Sequence, residues 1–113
     1  MRLNEYQVEA FKTAVYPHHG EQELPGVLYA ILGLAGEAGE TANKIKKVIR
    51  DDGGVLSVYN KHAVKEELSD CLWYLAALAT ELDFTLDEIA EANLAKLKSR
   101  QQREVLGGNG DNR

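Results

Sequence analysis

A chain of 113 residues has room for one small domain with a single core. Hydrophobic residues make up 44% of it, which excludes a compositionally disordered chain, and the net charge of −5 argues against broad binding to nucleic-acid polymers or anionic membranes. No apolar run reaches membrane-spanning length, no secretory pattern opens the sequence, and Cys71 has no second cysteine to pair with, so the expectation is a cytoplasmic protein with a buried thiol.

Leu3 to Tyr16 reads as a helix, with Asn4 as N-cap, Gln7 three residues later as a capping-box variant, and Pro17 as the stop. His18-His19-Gly20-Glu21 then reads as loop. Without further ligands at metal spacing, the adjacent histidines are read as solvent-exposed, and a place near a bound substrate is the alternative. Pro25 suits the first turn of a second helix reaching Arg50. Val27, Ile31, Leu34, Ala38, Ile45 and Ile49 form its apolar stripe, with Glu37 and Glu40 on the margin. Gly33, Gly36 and Gly39 interrupt it at a cost of up to about 1 kcal/mol each relative to alanine. Close helix packing and room for ions and a ligand explain them equally well. Lys44 and Lys47 extend the acidic face. Intrahelical pairing of Glu40 with Lys44 is the plain reading, and contact with an anionic substrate is the other.

Asp51-Asp52-Gly53-Gly54 signals a turn, and Val55 to Asn60 is either loop or a short extended piece. Asn60 is the candidate cap of a third helix, Lys61 to Leu82, with a core stripe of Val64, Leu68, Leu72, Leu75, Ala79 and Leu82. From Cys71 to Ala79 this helix is apolar on nearly every side, so it must be covered on every side, and a subunit interface is the natural cover. Trp73 points away from the stripe, as an interface anchor first and a stacking surface for a base second. Tyr74 lies one turn past the carboxylates, where it contacts a ligand or simply packs. Thr85 and Glu88 form a capping box with Phe84 stapled onto Ile89, opening a last helix to about Glu104. Asn93, Lys96 and Arg100 share one face of it, next to Ile89 and Leu97. Gly107 to Arg113 is glycine- and asparagine-rich and reads as a frayed tail. The organisation expected is one helical domain over residues 1–106 and a flexible tail over 107–113.

The chemistry sits in two acidic pairs, Glu37 with Glu40 and Glu67 with Asp70. Residues three apart on a helix are neighbours, so each pair points both carboxylates at one place. The intervening turn folds the two helices back on each other and brings the pairs together. Four carboxylates so close repel one another unless cations hold them, and hard oxygen ligands suit magnesium, manganese or calcium.

Gly36-Glu37-Ala38-Gly39-Glu40 followed by Glu66-Glu67-Leu68-Ser69-Asp70 resembles the paired acidic motif of MazG-like nucleotide pyrophosphohydrolases, of the all-α NTP pyrophosphatase superfamily. The aliphatic-aromatic run after Asp70 and the later Asn93, Lys96, Arg100 pattern are similar to that family as well. The resemblance implies an all-α helical bundle of about four helices, completed by oligomerisation as a dimer or tetramer. It implies magnesium-dependent hydrolysis, with manganese as the alternative ion, of a nucleoside or deoxynucleoside triphosphate to monophosphate and pyrophosphate, as suits nucleotide-pool house-cleaning. By similarity Glu37, Glu40, Glu67 and Asp70 are the catalytic metal ligands, and Asn93, Lys96 and Arg100 sit near phosphate or sugar. Trp73 joins the substrate-binding candidates as a base-facing residue, with Tyr74, His18 and His19 beside it. Rival expectations are a related pyrophosphatase acting on dUTP or phosphoribosyl-ATP, and a non-catalytic helical interaction module with solvated acidic pairs. A carboxylate-bridged di-iron bundle ranks low, because no histidine stands three residues after any glutamate.

Overall fold

The computed structural model describes residues 1–113. The chain is all helical and has no strand: α1 spans Leu3–Phe11, α2 Leu24–Asp51, α3 Val58–Glu81 and α4 Leu86–Gln102. At 1.5 Å per residue the 28 residues of α2 make a rod of roughly 42 Å. It ends at Gly53 and Gly54, whose φ values of 61° and 76° suit glycine and turn the chain back. α3 returns antiparallel along α2, pairing Lys44 with Glu67, Gly33 with Tyr74 and Gly26 with Glu81. α1 and α4 pack on each other at the far end of this hairpin, α1 also lying on α3. No helix is long and apolar enough to cross a membrane.

Three boundaries differ from the sequence expectation, each for a tertiary reason. α1 stops at Phe11 rather than Tyr16, because the Ala10 carbonyl accepts from the Thr13 hydroxyl and the Trp73 indole, and Ala14 N–H turns tightly onto Phe11. Asn4 and Gln7 do not cap their own helix. Their side-chain oxygens accept from Asp87 N–H and Leu86 N–H, capping α4 across the fold at 3.0 and 2.7 Å. The cap of α3 is Ser57, which accepts from Asn60 N–H, while the Asn60 amide braces the turn on Asp52 and Val55.

α2 and α3 approach most closely through small residues. A Cβ at Gly33 would collide with the Tyr74 ring, so glycine is required there for the helices to touch. Ala30 and Ala77 are buried within the hairpin, while Ala76 and Ala79 are buried on the other face of α3, against Leu86 and Tyr6. The large aliphatic side chains consequently face outward. Leu68, Leu72, Leu75 and Leu82 of the expected α3 stripe are exposed, as are Ile31, Ile45 and Ile49 of α2. The expected core stripes are thus corrected in part: Ala79 is buried as expected, while the leucines and isoleucines are not, and the buried core within one chain is mostly alanine, with Val48 and Leu86. The molecule is correspondingly open, with a Cα radius of gyration of 17.0 Å against about 13 Å for a compact domain of this length.

One buried carboxylate closes the far end. Glu81 is 1% exposed and accepts hydrogen bonds from the Tyr16 hydroxyl, Gly20 N–H (2.9 Å) and Gln22 N–H (3.1 Å). These bonds hold a loop in which His18 and Gln22 take left-handed φ values of 65° and 58°, strain that needs outside support. Gly26 makes room for the carboxylate, since a Cβ there would sit 2.7 Å from it. Glu81→Ala strands three donors and is expected to lower the free energy of unfolding by on the order of 3 kcal/mol. Urea unfolding measures this, and a loss well below that scale would show that the loop does not depend on Glu81.

Candidate active site

α2 and α3 each carry one acidic pair at mid-length, and their antiparallel packing faces the pairs across the seam. Carboxylate oxygens of Glu37, Glu67 and Asp70 lie within 4.8 Å of one another. Glu37 and Glu67 are half-buried and Asp70 is exposed, so the cluster sits at the seam's surface and not inside the core. Glu40, one turn further along α2, points to solvent and stands outside the cluster. The Glu37 carboxyl is held above the usual glutamate range, first by desolvation and then by its bond to Glu67 and the charges of Asp70, Glu67 and Glu40. Crowded carboxylates raise one another in this way, and the one cation paired into the cluster, Lys44, lies on Glu67 and not on Glu37. A set of hard oxygen donors in mutual repulsion fits a divalent cation such as magnesium or manganese.

The cluster lies between two cavities. On one side a cavity of about 330 Å³ is walled by Tyr16, Tyr29, Trp73 and Tyr74 and closed by Glu37 and Asp70. Tyr16 stacks on Tyr29 at 4.5 Å, and Trp73 meets both Tyr16 and Tyr74 edge-on. Burial raises the Tyr16 and Tyr74 hydroxyls above the usual phenol range, with Glu81 adding to the first and Glu37 and Asp70 to the second, so both rings stay neutral. On the other side lies a groove of about 330 Å³ that includes Glu40, Glu67, Asn43, Lys44 and Lys47. Lys44 pairs across the seam with Glu67 at 3.2 Å and not along its own helix with Glu40.

Within one chain Trp73 is half-buried and bonded to α1. Its indole N–H donates to Thr13 Oγ1 at 2.8 Å and to the Ala10 carbonyl at 3.2 Å, pinning α1 to α3, while the ring walls the aromatic cavity. The histidines stay in the loop: His18 pairs with exposed Glu21, and His19 Nδ1–H donates to the Tyr16 carbonyl at 2.7 Å. Asn93 and Lys96 line a separate groove on α4 with Phe84 and Ile89. Arg100 is buried against the tail, donating to the Asp111 carbonyl at 2.8 Å. No α4 residue borders either cavity at the acidic cluster. Sequence reasoning passed over Tyr16 and Tyr29. Tyr29 stands two turns ahead of Glu37 on the same helix, a spacing that could have drawn attention to it. Tyr16 gave no such signal, because it reaches the site only through the Glu81-held loop.

Fold and site together define an all-α domain with a seam of carboxylates suited to a hard cation, flanked by an aromatic cavity. Residues 27–105 match the family model described as the MazG nucleotide pyrophosphohydrolase domain, and the chain belongs to that family. It is 46% identical over 114 residues to the Gene 37 protein of Mycobacterium phage L5, with the whole of both chains covered. No solved structure matches it.

Proposed function

We propose that the protein is a magnesium-dependent nucleoside triphosphate pyrophosphohydrolase, with manganese able to substitute, acting on nucleoside or deoxynucleoside triphosphates in the cytoplasmic pool. The observation that carries this reading is the convergence of Glu37, Glu67 and Asp70 beside an aromatic cavity, in a chain of this family. Glu37, Glu67 and Asp70 would hold the cation, and exposed Glu40, one turn along α2, would be the nearest further carboxylate on that helix. The cation supplies charge that offsets the triphosphate and makes water a better nucleophile. Water oxygen bonds to the α-phosphorus, the bond to the bridging oxygen breaks with its electron pair on pyrophosphate, and the water gives up a proton. The crowded carboxylates of the seam are the groups placed to orient that water and receive its proton. Tyr16, Tyr29, Trp73 and Tyr74 offer π-faces and edges to a base, and Trp73 and Tyr74 can discriminate between bases that the phosphate-binding groups cannot tell apart.

The exposed aliphatic stripes of α2 and α3 support assembly as a dimer or tetramer. Because Asn93, Lys96 and Arg100 stay away from the cluster within one chain, any contact they make with phosphate or sugar comes from a neighbouring copy. The test is pyrophosphate release from a panel of ribo- and deoxyribonucleoside triphosphates, with dUTP and phosphoribosyl-ATP included, with and without magnesium. Release that requires the metal is expected, and the panel ranks the substrates. Absence of release from every member would overturn the reading in favour of a non-catalytic helical module.

A further inference from the structure

Both helices run through the same order of chemistry. Along α2 it is Tyr29, then Glu37 and Glu40, then Asn43, Lys44 and Lys47. Back along α3 it is Tyr74 and Trp73, then Asp70 and Glu67, then Asn60. Since α3 is antiparallel to α2, the two orders coincide in space. Aromatic rings mark one end of the carboxylate seam and amides with lysines mark the other. From Glu37 to Lys44 is roughly 10 Å of helix rise, so the three zones are adjacent and do not overlap.

On the proposed activity, we infer that the groove bearing Asn43, Lys44 and Lys47 holds the β- and γ-phosphates, and then the pyrophosphate product. The nucleotide thus lies along the helix pair with its base toward Trp73 and Tyr74. The aromatic cavity offers no cation, and its only charged walls are Glu37 and Asp70, so it repels the polyphosphate end. The opposite groove carries two lysines. Lys44 is the one basic side chain ion-paired with the cluster, through Glu67, and it is 38% exposed. Lys47 forms no ion pair. Were Glu67 to hold a cation, its charge would be shared with the metal and the Lys44 ammonium would be available to phosphate oxygens in the groove. A lysine in that place offsets charge that grows as the bridging bond breaks. Pairing with Glu67 before substrate arrives keeps the ammonium at the seam.

The two halves of the substrate make the test. Inorganic pyrophosphate, and the monophosphate of the best triphosphate in the panel, are titrated calorimetrically with magnesium against wild type, Lys44→Met, Lys44→Arg and Trp73→Ala. Lys44→Met is expected to weaken pyrophosphate about tenfold, the scale of one charge-assisted contact, and to leave monophosphate affinity within about twofold. Lys44→Arg keeps the charge and should recover most of the pyrophosphate affinity. It also keeps the test decisive if the methionine variant melts early. Trp73→Ala should do the reverse and weaken the monophosphate alone. Unchanged pyrophosphate binding in Lys44→Met, or equal losses for both ligands, would overturn this assignment. Either result would leave metal-dependent turnover, and the proposed activity, standing. A wild-type protein that cleaves no triphosphate would remove the activity and this orientation together.

Discussion

Glu37→Gln is expected to lower pyrophosphate release by well over 100-fold while leaving the helices in place, a larger loss than removal of a group that only orients a metal ligand. The same substitution is expected to stabilise the metal-free protein at neutral pH. The Glu37 carboxyl is held above its usual range by desolvation and by neighbouring carboxylates, so the folded state binds its proton more tightly than the unfolded state does. Its stabilising contribution is therefore complete below the ordinary glutamate range and is lost as pH rises through the elevated value. At neutral pH the metal-free fold carries that repulsion, and glutamine removes it. Thermal melts of the two proteins without metal should differ at pH 7 in favour of Glu37→Gln and converge as the pH falls below the ordinary glutamate range, about 4.3. Magnesium should raise the melting temperature of wild type and leave that of the variant nearly unmoved. Native-like turnover in Glu37→Gln would remove this residue from the site. Asp70→Asn, exposed at the same cluster, should lose turnover with a smaller change in metal-free stability.

The meeting of Glu37, Glu67 and Asp70 was legible in the sequence because its geometry is local, while Glu40, expected with them, points to solvent. Three-residue spacing fixes each pair on one helix face, and Gly53-Gly54 fixes the reversal that brings α3 back along α2. The four helices were legible for the same reason, through their periodicity and the Thr85 cap, which accepts from Glu88 N–H at 3.1 Å. What depended on contacts distant in sequence was not legible. Asn4 and Gln7 have the spacing of a local cap, and only the folded chain shows their oxygens capping α4, 83 and 79 residues away. Glu81, at the polar end of an apolar helix, looks like a solvated terminus until the loop from Tyr16 to Gln22 closes over it.

The helix stripes are the most instructive case. Period 3.6 grouped Leu68, Leu72 and Leu75 into a core stripe and the α2 isoleucines into an apolar one, yet these side chains are exposed within one chain. Periodicity says which residues share a face, and it is silent on what covers that face. Here Gly26 and Gly33 let α2 and α3 touch, Ala76 and Ala79 pack on Leu86 and Tyr6, and the large aliphatic side chains are left outside. Gly36 and Gly39, with nothing within 4 Å of a built Cβ, lie on open surface rather than at this seam, unlike Gly33.

Leu72→Glu is expected to split the protein into single chains. Leu72 is 36% exposed and Leu75 37% in the isolated chain, so covering what remains open contributes about 0.5–1 kcal/mol each, and Leu68 at 54% and Ile49 at 70% contribute more. Several such side chains on each copy give an interface whose core cannot accept an unpaired carboxylate. Light scattering at micromolar concentration should give wild type a mass that is twice or four times the 12.5 kDa chain, and Leu72→Glu the single-chain mass. Ile45→Glu, on the exposed stripe of α2, should act in the same direction. A single-chain mass for wild type would overturn the assembly outright. The consequence for activity is specific. Lys96 lies on α4, apart from the cluster of its own chain, so a role at phosphate makes it a residue supplied by a neighbour. Lys96→Ala and Glu37→Gln subunits, each inactive or weak alone, should then regain turnover when unfolded together and reassembled, because some sites receive an intact cluster from one chain and an intact lysine from the other. Mixed subunits that assemble and gain nothing would confine Lys96 to the surface of α4.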